Sequence, residues 1–176
     1  MGKSNWVIDP THSEIGFKVK HMMFTNVSGK FTQFEAAIEN EDEAFATSKI
    51  NFSADVNSVD TANADRDNHL RGADFFDVEK FAKLTFNSTS ILKVNEGEYK
   101  INGDLTIKDV TKNITLEAEY SGLMKDPWGN TKIGLSLNGK INRKDFGLTW
   151  NAALETGGVL VGEDIKLAAE VQFVKQ

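Results

Sequence analysis

Three histidines and a few arginines carry what chemistry this sequence could perform. His12 lies between Asp9 and Ser13, His21 follows nine residues later, and His69 comes two residues after Asp67. An imidazole with a carboxylate and a hydroxyl nearby invites a hydrolase or a zinc site. The spacing supports neither. His12 and His21 stand at opposite ends of one candidate strand, roughly 30 Å apart at the rise of extended chain, and cannot share a metal. Folding could still bring His12 to His69. The chain contains no cysteine, which removes thiolate nucleophiles, thiolate metal ligands and disulfides together. No nucleophile elbow, zinc-protease helix, Walker loop or dinucleotide fingerprint occurs. No catalytic residue, metal ligand or cofactor is therefore assigned, and His12 reads as a side chain that ties down the first turn.

Arg66, His69, Arg71 and Arg143 are the groups that could meet a phosphate or a quinone oxygen, arginine through its planar fork of donors. Each has a competing structural reading: Arg66 with Asp67 as a local pair, and Asp60, Thr61 and Asn63 as residues that orient a helix start.

The elements that must position these groups are mostly strands. Apolar and polar residues alternate through Ile15, Phe17 and Val19; Ile50, Phe52, Ala54 and Val56; Leu84 and Phe86; and Tyr99 to Ile107. The same period returns in Ile114 to Tyr120, Ile133 to Ile141 and Ile165 to Phe173, the signature of half-buried strands. Turn residues separate the rows at Asn95-Glu96-Gly97, Lys108 to Lys112, Lys125 to Asn130 and Gly157-Gly158. Asn102-Gly103 and Asn138-Gly139 would ordinarily close hairpins. The alternation passes through both in unchanged phase, so each glycine is placed on the apolar face, where it bends the strand or leaves interior space. One helix is expected, near residues 63–71, capped by Thr61 or Asn63 and ended by Gly72.

A chain of 176 residues with 40% hydrophobic and 26% charged residues is one globular domain, residues 1–176. The net charge of -6 and the lack of a basic cluster argue against nucleic acid. No run of apolar residues is long enough for a transmembrane helix. The N-terminus carries no secretory pattern, so the chain reads as cytoplasmic as it stands, and as periplasmic if an export leader has been removed. The polar row carries Lys18, Lys20, Lys49, Asp55, Lys100, Asp104, Lys108, Glu117, Glu119, Lys140, Lys166 and Glu170, so the apolar row is read as facing inward. Pattern alone leaves two all-β solutions open, a sandwich with a dry core and a closed barrel of about eight strands with room for a ligand.

Trp6 to Ser13 followed by Ile15 to Met22 resembles the opening of the YceI-like family. Matches continue in order through Ser28-Gly29-Lys30-Phe31 with Phe34, Ser58 to Thr61, Arg66 to Arg71 and Asp74-Phe75-Phe76-Asp77. Leu84-Thr85-Phe86, Gly103 to Lys108 with Val110-Thr111-Lys112, Ile141-Asn142-Arg143 and Asp145-Phe146-Gly147 complete them. Ala82, Asp109 and Asn113 depart from the residues common in relatives, proline, glycine and proline respectively, and all three are placed at turns.

The resemblance implies a single elongated antiparallel barrel, lipocalin-like, whose lumen holds a long-chain isoprenoid, a quinone tail or another amphiphilic lipid without covalent chemistry. Phe17, Phe31, Phe52, Phe86, Ile101, Leu135 and Leu137 are the expected lumen wall, and Leu70, Phe75 and Phe76 the expected flap or plug at one end. A structural or partner-binding barrel with a self-filled core is the main alternative, a lipid hydrolase a weaker one, and a homodimer is left open.

Overall fold

Side chains that alternate in sequence alternate between the inside and outside of a closed tube. The computed structural model describes residues 2–152 and 160–176; the expected turn at Gly157-Gly158 lies outside the described residues. Among the described residues eleven strands follow one another as β1 (Lys3–Ile8), β2 (Glu14–His21), β3 (Thr25–Phe31), β4 (Phe34–Glu41), β5 (Lys49–Asp55), β6 (Val59–Asp60), β7 (Lys83–Asn95), β8 (Glu98–Ile107), β9 (Val110–Lys125), β10 (Thr131–Asn142) and β11 (Val161–Lys175). One helix, α1 (Ala64–Arg71), joins β6 to β7.

All neighbours pair antiparallel, and β1 pairs with both β4 and β11, which closes the sheet. The strands β1 and β2, β3 and β4, and β5 and β6 are bent halves of three longer staves, so the barrel has eight. The first bend is local chemistry. Pro10 cannot donate to a ladder, and Asp9 caps the turn Pro10–His12 by accepting from the Thr11 amide.

Register sorts the connections onto two ends. His21 pairs with Val161, Asn142 with Asp164 and Ile107 with Val110. The β2–β3 turn, α1, the β8–β9 turn and the β10–β11 connection therefore share one end. The N-terminus and the β4–β5, β7–β8 and β9–β10 connections share the other.

Both Asn-Gly pairs lie inside strands, β8 and β10, as their phase requires. The interior space expected beside them is already filled. A Cβ on Gly103 would sit 2.4 Å from the Phe86 ring, and one on Gly139 would sit 2.5 Å from the Leu116 side chain, so these glycines accommodate neighbouring side chains rather than a ligand. Asn113 is not at a turn: it lies within β9 and donates to Asp104 at 3.2 Å. The helix begins where expected, with the Asn63 side chain accepting from the Arg66 amide.

Candidate functional site

The two ends of the barrel are built differently. At the end that holds the N-terminus the interior is packed solid. Trp6 is fully buried, and its indole N–H donates to Asn40 at 3.1 Å. Phe45 stacks on Tyr120 with ring centres 4.5 Å apart and meets Tyr99 edge-on at 4.9 Å. Burial among these rings raises the Tyr120 pKa. This aromatic layer is a floor, and none of these five side chains lines the space above it.

Above the floor lies a cavity of about 580 Å³, within the range of small-molecule sites. Its wall includes all seven residues expected there: Phe17, Phe31, Phe52, Phe86, Ile101, Leu135 and Leu137. They do not contribute alike. Ile101 and Leu135 are 1% and 3% exposed and belong to the packed core, whereas Phe17, Phe52, Leu137, Ile165, Leu167 and Ala169 point inward yet remain only partly buried. Their unburied surface is apolar wall that the protein's own side chains leave uncovered.

The far end is partly covered by α1 and the loop after it. Leu70, Phe75 and Phe76 all line the cavity. Phe76 meets Phe31 edge-on at 6.0 Å, and Phe75 packs against Trp150 at 5.4 Å. The segment is held by Asp67, which is buried and accepts from both the amide and the hydroxyl of Thr61. Arg66 does not pair with Asp67 as the sequence suggested. It grips the same threonine, donating from Nε to Oγ1 at 2.8 Å and from Nη2 to the carbonyl at 2.7 Å.

The four proposed head-group residues separate once their partners are known. Arg66 lines the cavity, and among the described residues no hydrogen-bond partner engages its Nη1 donors. His69 also lines it, but its Nε2 is bonded to Asp74 at 2.9 Å and its ring is edge-on to Trp150. Arg143 borders the cavity at 2% exposure, with its donors turned to the carbonyls of Leu148, Trp150, Val161 and Gly162. Burial lowers its pKa against the opposing pull of Glu163. It fastens the β10–β11 connection. Arg71 falls outside the lumen altogether, because its guanidinium reaches back over the helix to the Asn57 and Val59 carbonyls and to Asn68.

Sequence reasoning missed Lys20, His21, Trp150 and Leu148, which also line this end. His21 was legible: Ile15, Phe17, Val19 and His21 share one phase, and the apolar row was read as ending one step too soon. Among the described residues that line the cavity, Asp65 is the one carboxylate, against Lys20, Arg66 and Arg143, although the whole chain carries -6.

His21 and His69 line the cavity, whereas His12 lies apart from them in the turn between β1 and β2. His12 Nδ1 is 2.8 Å from Asp9, and the Ser13 hydroxyl accepts from the Gln172 amide. Bonds from Thr11, His12 and Lys132 hold the Asp9 carboxyl far below the usual carboxylate range. Among the described residues, no three His, Asp or Glu side chains converge as a metal site would need.

With this geometry established, the relatives can be placed. The model of the YceI-like domain matches residues 6–173. A UPF0312 protein of Staphylococcus aureus is 39% identical over 171 residues, covering 97% of each chain. Among solved structures, a Campylobacter jejuni YCEI protein superposes with a TM-score of 0.75 at 38% identity, over 89% of this chain and 90% of that one. A polyisoprenoid-binding domain from Saccharophagus degradans shares the fold with a TM-score of 0.72 at 14% identity, over 97% and 98% of the two chains. By the match across nearly its whole length, this barrel belongs to the YceI-like family.

Proposed function

We propose that this protein is a non-catalytic carrier that holds the apolar tail of one polyisoprenoid or similar long-chain amphiphile in its lumen. The observation that carries the proposal is the incompletely buried inner wall of Phe17, Phe52, Leu137, Ile165, Leu167 and Ala169 around an unfilled cavity of about 580 Å³. A self-filled barrel would bury that surface.

At about 30 Å³ per water-sized group, the space suits a tail of roughly twenty carbons. At about 0.8 kcal/mol per methylene, transfer of such a tail from water gains roughly 16 kcal/mol before ordering costs. The grip is strong but chemically unselective, and discrimination falls to the few polar groups at the mouth. In this reading Arg66 and Lys20, which line that end, supply the donors for a phosphate or carbonyl oxygen. The polyisoprenoid-binding relative favours an isoprenoid over a straight chain.

Organic extraction of the purified protein followed by mass spectrometry tests the reading. A stoichiometric isoprenoid or other long amphiphile is expected, or saturable uptake when a polyprenyl phosphate is added. Empty extracts combined with no uptake of added polyprenyl phosphate, quinone or fatty acid would overturn it.

A further inference from the structure

We infer that the tip of the β2–β3 hairpin is a docking element that seats the mouth of the barrel on an anionic lipid bilayer. Met22, Met23 and Phe24 are 42%, 57% and 83% exposed. Single exposed apolar residues are ordinary on soluble proteins, but three in succession at the apex of a hairpin form a protrusion that water solvates poorly.

The turn itself does not call for these residues. Met22 and Met23 have φ of 51° and 64°, and the Phe24 amide closes the turn on the His21 carbonyl at 3.2 Å. Both central positions are left-handed, where Asn and Gly are accommodated best and a side chain with a Cβ is strained. Two methionines there work against the local backbone, so their presence answers to something outside the turn. Methionine is flexible and polarizable, suited to a fluid partner.

Charge selects which surface. Between Glu14 at its base and Glu35 beyond its far end, the hairpin carries Lys18, Lys20 and Lys30, with His21, and no carboxylate. The chain as a whole carries -6, so this basic finger is a local reversal. Asp60 lies across from Lys30 and Asp65 lines the cavity nearby, but Glu163 and Asp164 on the adjoining strand are engaged by Lys144 and Lys140. An apolar apex backed by lysines matches the interior and the head groups of an anionic membrane in that order.

Position gives the device its use. Val19, Lys20, His21 and Val27 of the same hairpin line the cavity, and the Met22 amide is bonded to Leu160 beside the mouth. A bilayer touching the tip therefore lies at the end of the barrel where the cavity is covered only in part. The inference goes beyond the carrier reading, and vesicle binding is measured apart from cavity occupancy.

Flotation with vesicles of phosphatidylcholine, with and without phosphatidylglycerol, tests it on the full chain. The substitutions Met22→Asn and Met23→Gly suit the left-handed turn and preserve the fold; Phe24→Ser completes the variant. Wild type is expected to float with the anionic vesicles and less with neutral ones, and the triple variant to bind at least about tenfold more weakly. Trp128→Ser, at the opposite end and 83% exposed in the parent, should bind as wild type does. Wild type that fails to float, or a triple variant that floats equally, overturns the inference. So does a wild-type dimer that the triple variant loses without any vesicle binding, which would make the tip a contact between copies. Empty solvent extracts and no uptake of added polyprenyl phosphate, quinone or fatty acid, alongside normal flotation, would defeat the carrier reading and leave this one standing.

Discussion

Filling the lumen from one wall is the sharpest perturbation available. Ala169 faces the cavity from β11, opposite Ile15 on β2 and Leu137 on β10, and is only partly buried. Ala169→Trp directs a bulky ring into space that no other described side chain occupies. An indole at this position should exclude about six carbons of a twenty-carbon tail. At about 0.8 kcal/mol for each methylene returned to water, the loss is roughly 5 kcal/mol, between a thousandfold and ten-thousandfold in affinity. The floor and the ladder bonds are untouched, so stability should change little. Titration with a fluorescent polyprenyl analogue measures the affinity, and circular dichroism with a thermal melt checks that the barrel persists. Unchanged affinity in a folded Ala169→Trp protein refutes the assignment of this space to the tail. If that variant does not fold, Leu137→Phe fills the same region more gently, with a smaller loss expected.

Two further outcomes follow from groups that hold the barrel rather than its cargo. Arg143→Lys removes the planar fork that binds four carbonyls and should destabilise the protein by about 3 kcal/mol, lowering Tm by roughly 6–12 °C in a thermal melt; a variant that melts with wild type would remove Arg143 from this role. Asp9→Asn should cost about 1–3 kcal/mol near neutral pH, because bonds from Thr11, His12 and Lys132 favour the carboxylate. A depressed folded pKa adds stability that is complete above the unfolded value of about 4 and fades as pH falls below it, so denaturation midpoints of the two proteins should converge only in acid; a gap that stays constant down to pH about 2 would disprove the linkage.

Much of the wall was legible because alternation survives folding: Phe17, Phe52 and Leu137 share the inward phase of their strands and reach the lumen. The helix start at Asn63 was equally local, since a cap depends on residues three apart. The ordered motifs from Trp6 to Gly147 identified the family without coordinates. β3 and β4 escaped the pattern because polar and small residues interrupt their alternation; in the barrel they are held by their ladders with β1, β2 and β5. Alternation alone left a tube and two stacked sheets open; the resemblance pointed to the tube, and closure of β1 onto β11, which joins residues from opposite ends of the chain, decides it. The polar groups were least legible of all. Arg66, Arg71 and Arg143 look alike in sequence, and their separation into a mouth residue, an outer brace and a buried fastener depends on which carbonyls the fold leaves within reach of each guanidinium.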